Sequence, residues 1–140
     1  MKTEIGTATC VGMIGATLSG GVSSLQGKHG LLIDTLLSVR LITAAGTAIT
    51  VSNQQNADLF WALRGAGANF GIVTSATYKV FDATNGGQVL STNFEYFASA
   101  NRSIWEILKS FDNKLPPNLA LNIAVQYSPP DKQVCSFLKQ

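Results

Sequence analysis

A glycine-rich segment near the start of the chain constrains the fold more than any other feature of the sequence. Between residues 6 and 30, glycine recurs at short intervals, at Gly6, Gly12, Gly15, Gly20, Gly21, Gly27 and Gly30. Each glycine adds backbone freedom that folding must remove, so this segment is unsuited to one long helix or strand. The spacing predicts a chain that bends repeatedly and runs close to a flat or anionic partner. The alternative is that these glycines only serve tight turns between strands.

The composition predicts a core-rich globular chain and argues against several classes of partner. Of the 140 residues, 46% are hydrophobic and 13% are charged, which suits one ordinary domain rather than a disordered segment. The net charge is +2 without a basic run, so there is no electrostatic case for nucleic acid. No apolar run is long enough for a membrane span, and the first residues contain no hydrophobic signal core.

The two cysteines predict no metal site. Cys10 and Cys135 lie far apart in the sequence and match no metal-binding spacing. A disulfide between them stays open at this point, and we favour two free thiols that behave as small apolar residues. For Cys10 in particular we expect a structural role.

The middle of the chain reads as a hairpin followed by a helix. Strand formers between residues 35 and 52 flank a turn at Ala44-Ala45-Gly46, which predicts the hairpin. Residues 56–64 favour a helix with Asn56 as its N-cap. Gly65 is expected to end that helix, and the adjacent aromatic residues Phe60 and Trp61 are expected to be core anchors.

A long strand is predicted from Ile72 to Phe81. Apolar and polar residues alternate along it, which is typical of a half-buried strand. The predicted buried face carries Ile72, Ala76, Tyr78 and Val80. The small polar segment 82–87 that follows is the best candidate for a domain boundary.

The last part of the chain reads as strand, helix, strand and tail. The strands are predicted at 89–97 and 119–127, and the helix at 102–113 with Ile104, Ile107, Leu108 and Phe111 on one face. Asn101-Arg102-Ser103 fits a glycosylation acceptor, but we favour Asn101 or Ser103 as a helix cap. Two strands and one helix bury too little to fold alone comfortably, so this part predicts the opening of a second domain.

One run of residues suggests a family. The run from Asp58 to Ser75, DLFWALRGAGANFGIVTS, resembles the signature of FAD-linked oxidases with the vanillyl-alcohol-oxidase type of flavin fold. More narrowly, it resembles berberine-bridge-like enzymes, including the fungal ones. The turn at Leu18-Ser19-Gly20-Gly21 and the segment from His29 to Ser38 resemble the family's preceding segments, in the right order.

The resemblance implies an α+β fold and an FAD cofactor. It places residues 1–84 in the second half of a PCMH-type FAD-binding domain and residues 85–140 at the start of a substrate domain. In such enzymes a small organic substrate gives a hydride to FAD, which oxygen reoxidises. Carried over by position, the cofactor-binding residues are expected to be Thr9, Gly12, Met13, Gly15, Gly20, Gly21, Ile72 and Val73.

The sequence also departs from the family pattern. Bicovalent members attach FAD through a histidine and a cysteine, and Ala8 stands where the attachment cysteine is expected. His29 is the only histidine, and we interpret it as a packing or turn residue. The family's phosphate loop and catalytic tyrosine match nothing in the chain, so no catalytic residue is assigned.

Two functions stay open on this basis. The chain is either part of an FAD-dependent oxidoreductase, with FAD bound non-covalently, or an inactive remnant or interaction module that keeps the flavin-facing surface. An unrelated α+β domain without a cofactor is the weakest reading, because the ordered motifs speak against it.

Overall fold

The computed structural model describes residues 10–126 and 134–139. The helices are α1 (Met13–Leu18), α2 (Gln26–His29), α3 (Ala57–Ala66) and α4 (Asn101–Ser110). The strands are β1 (Leu36–Ile42), β2 (Ala48–Ser52), β3 (Ile72–Tyr78), β4 (Thr92–Phe97), β5 (Leu121–Gln126) and β6 (Val134–Lys139). They form two antiparallel sheets of three strands each, with the orders β2-β1-β3 and β4-β6-β5. The α+β class is therefore confirmed.

The first sheet is centred on β1, as the predicted hairpin requires. Strand β1 pairs with β2 across the Gly46 turn and with β3 on its other side. Its inward side chains meet α3 in a core of six buried residues, which are Leu36, Val39, Leu41, Val51, Phe60 and Leu63. Burial of side chains of this size is the main stabilising contribution to such a small unit.

The glycine-rich segment bends as predicted but also contains two short helices. Helix α1 includes Gly15, and helix α2 includes Gly27. The bend between them falls at Gly20 and Gly21, whose φ angles are 105° and 72°. Residues with a Cβ rarely adopt such angles.

Helix α3 begins where the sequence predicted but ends later. Asn56 holds the N-cap position in a left-handed conformation and makes no capping hydrogen bond. Its Nδ2 donates instead to the carbonyl of Thr50, at 2.8 Å. Gly65 does not end the helix, which continues to Ala66 with a distortion at Arg64. The chain leaves the helix at Gly67, where an added Cβ would lie 2.5 Å from Leu18 Cδ2.

The expectation that both α3 aromatics anchor the core is right for one and wrong for the other. Phe60 is buried, whereas the side chain of Trp61 is 75% exposed. Neighbouring residues on a helix point about 100° apart. With Phe60 and Leu63 facing the sheet, Trp61 is turned towards solvent.

Strand β3 ends at Tyr78, and its buried face agrees with the prediction at Ala76 and Tyr78 but not at Ile72. The pairing with β1 runs from Arg40 opposite Ser75 to Leu41 opposite Val73, so Thr74 is an extra residue. Such a bulge shifts the alternation of side chains by one residue. Val73 packs against the core, while Ile72 lies outward and is 71% exposed.

The second sheet corrects the reading of the last residues as a tail. Strand β6 lies between β4 and β5 and pairs with both. Because Pro129-Pro130 predicts a break after the preceding strand, the sequence did not predict this further strand. The predicted break at Pro129-Pro130 lies outside the described residues.

Helix α4 follows the prediction less closely. It begins at Asn101, with Ala100 at the N-cap position and no side-chain cap, so neither Asn101 nor Ser103 caps it. Ile104 is buried, whereas Ile107, which was predicted to lie on the same face, is 60% exposed. Beyond Asp82, among the side chains that the structure describes, Ile104 is the only buried apolar one. The second sheet and α4 thus have a thin core.

We expect Gly71→Ala to destabilise the fold by about 2 kcal/mol or more. Gly71 has a φ of 145°, and an added Cβ would collide with the carbonyl oxygen of Ile42. Urea denaturation measures the change in the free energy of unfolding. Gly65→Ala is the matched control, because nothing lies within 4 Å of its added Cβ, and it should change stability by less than about 1 kcal/mol. Equal effects of the two substitutions would contradict the proposed collision.

Candidate functional site

Helix α1 carries two of the predicted cofactor-binding residues, Met13 and Gly15, with a third, Gly12, at its N-cap, and it is fixed by a buried threonine. The Thr17 hydroxyl donates to the Met13 carbonyl at 2.8 Å and lies 2.9 Å from the Tyr78 hydroxyl. Because Thr17 is 1% exposed, both bonds are shielded from water. They hold α1 against the end of β3, while Leu18 packs over Gly67.

The outward side of α1 is open. Among the described residues, apart from the chain neighbours and the helix's own backbone, no heavy atom lies within 4 Å of a Cβ placed on Gly12 or Gly15, and the neighbouring Val11 is exposed. Glycine is not required there by any internal contact or by a left-handed backbone. This side can therefore receive a ligand close to the backbone, and in that respect it fits a flat cofactor such as FAD.

Gly20 and Gly21 have a different environment. The Gly20 amide donates to the Thr17 carbonyl at 2.9 Å, and the carbonyls of both glycines accept bonds from Ile33 and Leu32. A Cβ on Gly21 would lie 2.5 Å from Leu32 Cβ. The tight-turn alternative is thus sufficient for these two glycines, and cofactor contact there stays a prediction.

The first two residues of β3, Ile72 and Val73, lie in different environments. Ile72 presents an apolar side chain outward, whereas Val73 is half-buried against the core. Only one edge of β3 pairs with a strand among the described residues, namely with β1. Its other edge can present backbone groups, as the resemblance implied. Thr9, the remaining predicted residue, lies outside the described residues.

The other sequence predictions give mixed results. His29 stacks on Phe81 with ring centroids 3.8 Å apart, which confirms the packing role. Cys10 is a free thiol, as predicted, but it is exposed, which does not fit the expected behaviour of a small apolar residue. Its exposure follows from its place in the turn before α1. The side chain of Cys135 lies outside the described part of the chain.

Residues around Trp61 form a second exposed group that the sequence analysis missed. Trp61 and Phe70 line an open depression of about 510 Å³ together with Asp34 and Arg64. The guanidinium of Arg64 lies 5.1 Å from the centre of the Phe60 ring. The adjacent aromatics Phe60 and Trp61, close to Arg64, were the sequence signal for this exposed group. Helical spacing alone did not decide which of the two aromatics faces the core.

The described residues offer neither a metal centre nor a membrane span. Across residues 10–126 and 134–139, no three His, Cys, Asp or Glu side chains approach closely enough to hold a metal ion. Within the same residues, no helix has the length and apolar character needed to cross a bilayer.

Comparison with known proteins identifies relatives in fungi. The chain is 62% identical over 116 residues to the FAD-linked oxidoreductase azaL of Aspergillus niger, covering 83% of this chain and 25% of that protein. It is 53% identical over 124 residues to the FAD-linked oxidoreductase tazL of Aspergillus terreus, covering 89% of this chain and 25% of that protein. No protein-family model matches the chain.

Solved structures agree with these relatives. The fold superposes on 6-hydroxy-D-nicotine oxidase from Arthrobacter nicotinovorans with a TM-score of 0.82, at 27% identity over 98% of this chain and 30% of that one. It also superposes on the BBE-like 1 protein of Physcomitrella patens with a TM-score of 0.78, at 30% identity over 99% of this chain and 29% of that one.

The fold and these matches define the class that the chain resembles: over most of its length it is similar to FAD-linked oxidases of the berberine-bridge-like type, as the motif run indicated. Within that class its similarity is to the fungal FAD-linked oxidoreductases, of which it spans about a quarter of the length.

We expect the Thr17–Tyr78 hydrogen bond to contribute about 1 kcal/mol to stability. A double-mutant cycle with Thr17→Val and Tyr78→Phe measures it by chemical denaturation. Both substitutions keep the side-chain shape while removing a hydroxyl. A coupling energy near zero would show that α1 is not held to β3 by this bond.

Proposed function

We propose that this chain supplies one wall of the FAD site of an oxidoreductase that oxidises a small organic molecule. The observation that carries the proposal is the open side of α1, where Gly12 and Gly15 have no neighbour in front of them. Helix α1 lies in a chain that is similar to proteins named FAD-linked oxidoreductases. The proposed cofactor-binding set is that of the sequence analysis, with Gly12, Met13, Gly15 and Ile72 as its best-supported members.

The proposed roles follow from the position of each group. Backbone at Gly12 and Gly15 approaches the cofactor, because no side chain keeps it at a distance. Met13 offers a soft apolar contact to a ring, and Ile72 adds exposed apolar surface from β3. When bound, FAD would accept the hydride, and oxygen would then take the two electrons to give hydrogen peroxide.

We further propose that these 140 residues do not catalyse the reaction by themselves. A hydride acceptor needs a positioned substrate and a base that takes the accompanying proton. The described tyrosines do not match the family's base by position, and Tyr78 is bonded to Thr17. Half a cleft also leaves much of the cofactor in water.

Non-covalent attachment of FAD is the third part of the proposal. The position of the family's attachment cysteine holds Ala8, and an alanine has no sulfur to form a thioether. Cys10 lies two residues later, and its thiol is free. In an extended backbone, side chains two residues apart point to the same side, so attachment through Cys10 has to be tested directly.

A non-catalytic interaction module is the second candidate. Exposed large apolar side chains favour it, notably Trp61 and Trp105. Contiguous apolar surface on a soluble protein marks sites that other surfaces cover. Peroxide production by the purified chain with FAD and a substrate panel would support catalysis and contradict this candidate.

We expect Gly15→Leu to weaken FAD binding by about tenfold or more, because the new side chain fills the space proposed for the cofactor. A tenfold change corresponds to about 1.4 kcal/mol. Quenching of flavin fluorescence during titration with the purified chain measures the affinity. Gly65→Leu is the matched control, since an added Cβ there also meets no neighbour within 4 Å but lies on α3. Equal affinities of both variants and the parent chain would move the site elsewhere.

We expect all flavin bound by the chain to be released by acid denaturation. A non-covalent cofactor separates from the precipitated protein, whereas a thioether-linked one stays with it. Absorbance of supernatant and pellet after precipitation distinguishes the two. Flavin in the pellet that disappears in the Cys10→Ser variant would identify Cys10 as an attachment residue and contradict the proposal.

A further inference from the structure

A cleft of about 480 Å³ lies among the connecting segments around the two sheets. Its lining comes from α2 and the residues before it, from the connection 81–90, and from the turn at 116–119. The walls are held close together, because a Cβ on Gly27 would lie 2.6 Å from the Pro117 carbonyl oxygen. The volume is in the range of small-molecule sites, about 300–1,000 Å³, which prefer the junctions between structural units.

An aromatic pair forms one wall of this cleft. The rings of His29 and Phe81 are nearly parallel, with 10° between their planes and 3.8 Å between their centroids. The ammonium group of Lys79 lies 5.1 Å from the centre of the Phe81 ring. Contacts with two neighbours hold the Phe81 ring in place. A wall that is ordered in advance loses little conformational freedom when a ligand binds.

The remaining lining is mostly apolar and carries balanced charge. Leu25, Val89, Leu90, Pro116 and Leu119 supply apolar surface. The polar contribution comes from a few side chains, among them Asn118 and Gln88, which can donate and accept hydrogen bonds. One cation, Lys28, and one anion, Asp82, face the cleft, so it favours neither sign of ligand charge.

We propose that this cleft binds an uncharged, flat aromatic molecule that carries hydroxyl or carbonyl groups. The aromatic wall and the apolar lining match the faces of such a molecule, and the amide side chains match its polar substituents. A sugar fits less well, because it needs a dense set of polar partners. None of the seven predicted cofactor-binding residues that the structure describes lines the cleft, so this site is separate from the proposed FAD surface.

The test uses the purified chain labelled with ¹⁵N and titrated with 2-naphthol, an uncharged flat aromatic alcohol. We expect saturable shifts of amide resonances in the three lining segments, around His29, Asp82 and Asn118. The shifts should persist in the presence of FAD, because the two surfaces differ. Xylobiose, an uncharged sugar, should cause no saturable shift. Saturable binding centred on α1 and β3, no saturation within the solubility of 2-naphthol, or equal binding of xylobiose would each overturn the proposal.

A pair of variants separates the cleft from general adsorption to apolar surface. Leu90→Ser removes an apolar side chain from the cleft and should weaken 2-naphthol binding by about fivefold or more. Leu90 is 76% exposed, so the substitution should not disturb folding, which the spectrum itself verifies. Ile107→Ser removes a comparably exposed side chain from α4, outside the cleft, and should leave the affinity unchanged. Equal weakening by both variants would overturn the proposal.

Discussion

The pairing of β1 with both of its neighbours is the constraint on which the candidate site depends. Strand β1 is central in the first sheet, and its register with β3 contains two irregularities, one of which sets Thr74 apart. Because a one-residue shift exchanges the two faces of a strand, this bulge turns Val73 into the core and Ile72 outward. The outward position of Ile72, which is proposed to meet the cofactor, is therefore set by a local irregularity in the pairing of β1 with β3.

Helix α1 depends on the same sheet for its position. A helix of six residues has little stability of its own, since helix formation is cooperative and short helices are marginal in water. The buried Thr17 bonds to Tyr78 at the end of β3, and Leu18 occupies the space that Gly67 leaves. These contacts face inward, and as a result Gly12 and Gly15 face outward. The open side of α1 is thus a consequence of how tightly its other side packs.

The two sheets differ in how completely they bury their apolar residues. The first sheet and α3 enclose a contiguous core, whereas α4 buries Ile104 and leaves Trp105 and Ile107 exposed. This contrast fits a chain that spans about a quarter of its fungal relatives. The same difference in burial is visible in the cleft. Exposed residues such as Leu90 bound it on one side, and the stacked His29–Phe81 pair bounds it on the other.

Local sequence was sufficient where neighbouring residues decide the outcome. The hairpin through Gly46, the start of α3 after Asn56, the bend at Gly20-Gly21 and the family itself could all be read from short patterns and their order. The packing role of His29 was also anticipated. Each depends on turn geometry or on residues close together in the chain, and these are encoded locally.

Tertiary contacts decided the rest, because they join residues that are distant in sequence. Trp61 is exposed because Phe60 and Leu63 take the core-facing side of α3, and Ile72 is exposed because β1 imposes a bulge on β3. Strand β6 was missed because its pairing with β4 joins residues that are distant in the sequence, and because Pro129-Pro130, between β5 and β6, predicts a break instead of a hairpin. The sequence by itself determined the family, the elements of the first sheet and the glycine positions. Which of those glycines and apolar residues face a ligand was decided only by packing, since exposure is a property of the assembled surface and not of the residue.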